Sequence, residues 1–155
     1  MKKLSKESIY RILDANLNRA AEGMRVCEEV VRFILNDGKL TAQFKGIRHQ
    51  LVDSAGVLMR RKFMEQRNSR ADVGRKILSG ELKRENWQDI FFANMQRTKE
   101  SIRVLEEFYK LIDKSAAVKL KNIRYRSYEI EKKVTVKFSA LSDSGQECLP
   151  GKKRR

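Results

Sequence analysis

One stretch of this chain occurs twice. Ala15-Asn-Leu-Asn-Arg-Ala-Ala-Glu-Gly-Met-Arg-Val-Cys-Glu-Glu29 returns as Ala93-Asn-Met-Gln-Arg-Thr-Lys-Glu-Ser-Ile-Arg-Val-Leu-Glu-Glu107, at a constant offset of 78 residues. Across 15–34 and 93–112, nine of twenty positions are identical, among them Asn16/Asn94, Arg19/Arg97, Glu22/Glu100, Arg25/Arg103, Glu28/Glu106 and Glu29/Glu107. A duplicated unit buries its apolar face against its copy and is expected to keep its apolar positions first. Here the polar positions are kept, which asks for a reason beyond packing.

The apolar residues of each copy recur at helical spacing. Ile9, Ile12, Leu13, Leu17, Met24, Cys27, Val30, Val31 and Ile34 form one face. Ile90, Phe91, Ile102, Leu105, Phe108, Tyr109 and Ile112 form the other. Asn16 and Asn94 fall inside these faces. Arg19, Glu22, Val26 and Glu29 run along one edge, repeated by Arg97, Glu100, Val104 and Glu107. Buried Asn or Arg is costly unless paired. The plain reading is therefore a structural Asn and ion pairs within each helix, and repetition of the whole set argues for a site.

The first helix is expected to run from an N-cap at Ser5 or Ser8 to about Leu35, with Gly38 as a left-handed stop. A second helix spans about 41–63, with Leu40, Phe44, Ile47, Leu51 and Leu58 as its seam. The second copy occupies about 85–112 and a last helix 116–136, with Ile123-Arg124-Tyr125 answering Ile47-Arg48-His49. The expected fold is all-α: a duplicated helical hairpin (8–63 and 85–136) forming a four-helix, bundle-like domain with a pseudo-twofold axis over residues 1–138. Residues 139–155 read as a polar basic tail without packed structure.

A chain of 155 residues has room for one core. No apolar run reaches the length of a membrane span, so a cytoplasmic protein is expected. Cys27 and Cys148 give no disulfide or metal spacing, and the single His49 excludes a multi-histidine centre. A net charge of +15 points to anionic partners without choosing among them.

Between the copies lies Gln66-Arg-Asn-Ser-Arg-Ala-Asp-Val-Gly-Arg75, the longest stretch without helical periodicity. Arg67, Arg70 and Arg75 can donate to phosphate oxygens, Gly74 admits a ligand close to the backbone, and Asp72 can hold Mg²⁺. Helix pairs packed about a twofold axis would bring the two polar edges together as one cleft. Such a set suits phosphoryl transfer, where positioning and charge neutralisation dominate. A phosphate-monoester acceptor needs no strong base, since its second pKa is about 6.

The residues from Tyr10 to Glu29, with Asp72-Val-Gly74, Ala93-Asn94, Arg97 to Glu107 and Arg124-Tyr-Arg-Ser-Tyr-Glu129, resemble a small family of thiamine biosynthesis. These are the alternative, monofunctional hydroxymethylpyrimidine-phosphate kinases, often fused ahead of thiamine-phosphate synthase. The likeness covers roughly 8–134. It implies ATP-dependent phosphorylation of a pyrimidine phosphate to the diphosphate, with ATP and Mg²⁺ as cofactors and a functional link to thiamine-phosphate synthase. A synthase label on this chain would come from the fused relatives.

The site expected from the residues and the likeness together, with roles inferred from side-chain chemistry, has Arg19, Glu22, Arg97, Glu100 and Asp72 as catalytic residues. Asn16, Arg25, Arg48, Arg67, Arg70, Gly74, Asn94, Arg103 and Arg124 would bind substrate and nucleotide, and Glu29, Asp72 and Glu107 the metal. Asn68 and Arg75 depart from the family pattern, in which an acidic residue and Thr are expected.

Two other classes stay open: a basic helical nucleic-acid-binding module, and a helical scaffold whose polar edges pair between chains. Against the first, the repeated motif is as acidic as it is basic, and no aromatic residues are interleaved as stacking platforms. Assembly into a homo-oligomer is compatible with either the enzyme or the scaffold.

Overall fold

The computed structural model describes residues 5–70, 72 and 83–143, all of whose regular structure is helical. The helices are α1 (Lys6–Phe33), α2 (Gly38–Ser54), α3 (Val57–Glu65), α4 (Trp87–Tyr109) and α5 (Lys114–Asp143). The all-α, bundle-like fold expected from the sequence is what forms. Among the described residues, no helix is long and apolar enough to cross a membrane.

Local chemistry sets the helix ends. The Ser5 hydroxyl accepts from the Ser8 amide at 3.1 Å and starts α1. Asp37 caps α2 through the Leu40 amide (2.9 Å), and Asp113 caps α5 through the amides of Ser115 (2.9 Å) and Ala116 (3.1 Å). Asn86 does the same for α4. The turn after α1 differs from expectation. Asn36, not Gly38, takes the left-handed conformation (φ 49°), and Gly38 opens α2. A short Asx side chain tolerates that region, and the Asp37 amide reaches back to the Val31 carbonyl at 3.2 Å.

The single helix expected over 41–63 is two helices. Gly56, at φ 65°, breaks it and starts α3. By contrast, the last helix is longer than expected and carries residues 139–143 of the expected tail in helical form.

The core is built from the faces read in the sequence. Leu13, Met24, Cys27, Val31, Phe44, Leu51, Phe91, Ile102, Leu105, Leu120 and Val134 are fully buried. Burial pushes the Cys27 thiol far up, so it stays protonated and inert. Ile34 and Ile90, expected on those faces, are exposed.

Two contacts fix the axis that relates the halves. The Thr98 hydroxyl donates to the Ala20 carbonyl at 3.4 Å, joining α1 and α4 between positions 78 apart, the repeat offset. Arg126 donates to Gln50, joining α2 and α5 between positions 76 apart. Both helix pairs therefore meet at positions equivalent under the duplication. At the first meeting the backbones come close. A Cβ on Gly23 would sit 2.5 Å from Thr98 Oγ1 and 2.8 Å from the Asn94 carbonyl oxygen.

Candidate functional site

The polar residues that the duplication kept separate into two groups. The first forms a buried ion cluster, made once in each half. Glu28, 3% exposed, takes Arg25 NH1 at 3.1 Å and Arg48 Nε at 2.8 Å. Its equivalent Glu106, 5% exposed, takes Arg103 NH1 at 2.8 Å and Arg124 Nε at 2.9 Å. Arg25 also reaches Glu29 (2.5 Å), and Arg103 reaches Glu107 (2.8 Å). Each buried carboxylate is thus pinned by an arginine from its own helix and one from the partner helix, which ties α1 to α2 and α4 to α5.

The second cluster has additions. Arg124 also donates to the Tyr128 hydroxyl (3.0 Å), and that bond together with Glu106 holds its charge firmly in place. Glu107 is pulled below the usual carboxylate range by a hydrogen bond from Lys110, helped by Arg103. Of the residues expected at a site, Arg25, Arg48, Arg103, Arg124, Glu29 and Glu107 are therefore placed in these clusters, paired with one another. Among the described residues no group of three or more carboxylate, Cys or His side chains is arranged to hold a metal ion.

The second group is Asn16, Arg19 and Glu22, which line a cleft of about 620 Å³ on α1. Arg11, Asp14 and Asn18 of the same helix join them, and the opposite wall is the segment after α3: Arg67, Asn68, Ser69 and Asp72. One ion pair closes that wall onto the helix. Arg67 Nε and NH2 donate to Asp14 Oδ2 and Oδ1, both at 2.7 Å, with the Asp14 side chain 10% exposed. The Asn18 amide donates to the Asp14 carbonyl (2.9 Å) and to Oδ1 (3.2 Å). Asn16 turns its NH₂ onto the Ile12 carbonyl at 2.8 Å, as Asn94 does onto Ile90. The plain reading of these two asparagines as backbone-binding groups fits that bond. Among the described residues, no ion pair engages Arg11 or Arg19, and both are exposed.

The cleft expected between two facing ridges is not what forms: its described lining comes from the first half alone, with the segment after α3 as the other wall. Arg97 and Glu100 are exposed on α4 outside it, and Glu100 receives the Gln96 amide at 2.7 Å. Arg70 is exposed and not among the lining residues, and Gly74 and Arg75 lie outside the described residues. Sequence reasoning did not pick out Arg11, Asp14 or Asn18. A signal existed for Asp14: its equivalent in the second copy is Phe92, so a carboxylate on the flank of an otherwise matched helix marks a difference between the halves.

The described aromatic residues also amend the sequence reading. Tyr125 and Tyr128 are exposed on α5 with the Arg124 guanidinium 5.1 and 5.7 Å from their ring centres, so aromatic and basic side chains do alternate on that helix.

Comparison with known proteins bears on what this cleft serves. Residues 11–133 match the ThiD2 family. A thiamine-phosphate synthase of Rhodopirellula baltica is 35% identical over 143 residues, 92% of this chain and 38% of that protein. Thiamine-phosphate synthases of Synechocystis sp. and Nostoc punctiforme are 38% and 37% identical over 84% and 79% of this chain, and 37% and 34% of their own lengths. The chain therefore spans little more than a third of these curated relatives. No solved structure matches it. These names overturn the phosphotransferase activity drawn from the resemblance: the relatives are thiamine-phosphate synthases and not kinases, and the label foreseen as borrowed is the one they carry. With the family profile covering most of its length, and all of α1, α2 and α4 beyond the first turn of α1, the chain belongs to the ThiD2 family.

Proposed function

We propose that this chain works in the formation of thiamine phosphate, as a helical unit whose α1 cleft binds a pyrimidine-bearing phosphate monoester. The observation that carries this reading is the pair Arg11 and Arg19. Two guanidinium groups line a cleft with no ion pair engaging them among the described residues, one of them at a position that the duplication retains. Guanidinium suits phosphate, which it can bind through two parallel hydrogen bonds.

The rest of the lining fits a ligand of mixed charge. Arg11, Arg19 and Arg67 stand beside Asp14, Glu22 and Asp72, so the cleft balances three cations with three carboxylates. Thiamine phosphate has the same character, a phosphate monoester joined to a cationic ring and an aminopyrimidine. With their NH₂ groups bonded within α1, Asn16 and Asn18 have amide oxygens that can accept from the amino group of a pyrimidine. On this reading the chain contributes to an enzymatic reaction by binding and orienting, within a system whose named relatives are much longer.

Isothermal titration with thiamine phosphate and with thiamine tests it. Thiamine phosphate should bind, thiamine should bind far more weakly, and Arg19→Ala should weaken the phosphate form by about tenfold or more, near 1.4 kcal/mol. Arg97→Ala, outside the cleft, should leave it unchanged. ATP with Mg²⁺ serves as a further probe in the same titration. Equal binding of thiamine and its phosphate, or equal effects of the two arginine substitutions, overturns the reading.

A further inference from the structure

Asp14 is a buried acid facing a cleft to which an anion is assigned, and a carboxylate there ought to repel the ligand. Its geometry resolves the conflict. A guanidinium has five N–H groups. Asp14 accepts from Nε and from one hydrogen of NH2 of Arg67, both at 2.7 Å, in a two-pronged pair along one edge of the plane. That leaves the NH1/NH2 end of Arg67 with its hydrogens, and the planar group is fixed in direction by a carboxylate that is itself 10% exposed and held by Asn18. The Arg67 side chain is 45% exposed, so its outer end meets the cleft.

We propose that Asp14 is a positioning residue that aims the outer edge of Arg67 at an anionic group of the ligand. It also draws the wall formed by Arg67, Asn68, Ser69 and Asp72 onto α1. This inference rests on the proposed binding role of the cleft and adds a division of labour: Arg11 and Arg19 approach the ligand from the helix, while Arg67 approaches from the opposite wall, prealigned. Because the carboxylate is matched in full by two hydrogen bonds to a cation, its charge does not oppose the incoming phosphate. Preorganising a donor lowers the entropic cost of binding. Nothing in the second half can repeat the device, since Phe92 stands in place of Asp14.

A double-mutant cycle decides it, with thiamine phosphate and inorganic phosphate as probes and thermal unfolding recorded for each protein. Arg67→Ala is expected to weaken phosphate binding about tenfold, and Asp14→Asn several-fold, with α-helical content retained. The double variant Asp14→Asn/Arg67→Ala should bind no worse than Arg67→Ala alone, because Asp14 acts through Arg67. Arg67→Lys, which cannot present two edges at once, should bind as poorly as Asp14→Asn.

A merely structural Asp14 would lower the unfolding temperature and weaken binding additively in the double variant, which overturns the inference. So does unchanged affinity in Arg67→Ala, or no binding of either probe to the unaltered protein. If inorganic phosphate binds with this coupling pattern and thiamine phosphate binds no better, Asp14 still positions Arg67 and the proposed ligand is wrong.

Discussion

The first half (α1, α2 and α3) and the second (α4 and α5) share their scaffold and differ in their chemistry. Each contains a buried glutamate held by two arginines, a capping aspartate ahead of its second helix, and an equivalent asparagine, Asn16 or Asn94, bonded to the carbonyl four residues back. What the first half has alone is a break at Gly56, the short α3 that follows, and Asp14 to receive Arg67. In the second half α5 runs unbroken from 114 to 143, and Phe92, in place of Asp14, packs its ring against Phe138 with centroids 5.7 Å apart. The lesson is that the retained polar residues in the ion clusters maintain the fold, and the cleft arises where the halves stopped matching.

The largest expected effect tests the shared part. Glu28→Ala leaves Arg25 and Arg48 facing each other without their common anion, and Glu106→Ala does the same to Arg103 and Arg124. Each should cost about 3–5 kcal/mol in urea unfolding, the penalty for breaking a buried charge pair by removing one partner. The two values should agree within about 1 kcal/mol, given the similar burial and bond lengths and the usual scatter of single substitutions. A near-zero cost at either site would break the equivalence.

A smaller effect probes the meeting of α1 and α4. Gly23→Ala places a methyl group against the Asn94 carbonyl, backbone that cannot rotate away, and should destabilise by about 1–3 kcal/mol in the same assay. Ser101, its equivalent, already carries a buried side chain. Ser101→Ala should therefore be well tolerated, and equal costs at 23 and 101 would mean that the crossing is more symmetric than the contacts imply.

The smallest effect concerns the caps. Hydrogen bonds from the Leu40 amide and then from Lys137 lower the pKa of Asp37 below its ordinary value. A carboxylate whose folded pKa is depressed adds stability above its unfolded pKa, and that contribution is lost as pH falls through the folded value. Asp37→Ala should cost about 1 kcal/mol at neutral pH, typical of an N-cap, with the difference from the unaltered protein vanishing in acid below the ordinary carboxylate range. Asp113→Ala should cost less, because Asp113 caps its helix but, among the described residues, no cation pairs with it as Lys137 does with Asp37. The pH dependence of thermal unfolding of the two variants distinguishes them.

Much of the scaffold could be read from the chain itself. Helical spacing of Leu13, Leu17, Met24 and Val31, and of Phe91, Ile102 and Leu105, identified the faces that became the core, because burial depends on periodicity that one sequence displays. The break at Gly56 was missed because Leu40, Phe44, Ile47 and Leu51 set a rhythm that runs up to it, and a single glycine in a periodic stretch is compatible with a helix. The left-handed turn was assigned to Gly38 on residue type, while Asn36 takes it, two residues earlier.

The site was less legible. Arg19 and Glu22, read as one polar edge, and Asn16, read inside the apolar face beside it, all line the cleft. Their repetition then led the second ridge to be placed opposite them, where the structure puts the segment after α3. Repetition of Arg25, Glu28 and Glu29 signalled function equally strongly, yet all three are drawn into ion pairs within the fold. Sequence shows that a polar residue is retained. It does not show whether its partner is another side chain or a ligand, because that depends on long-range pairs such as Arg48 with Glu28, twenty residues apart.

The meeting of equivalent positions at Ala20 with Thr98 and at Gln50 with Arg126 has a consequence for assembly. A surface shaped to receive its own counterpart treats a covalently joined copy and a separate molecule alike. Two first halves placed back to back would present two clefts on one framework, each with its own Asp14 and Arg67, whereas the chain as it stands devotes one of its two copies to bracing the other.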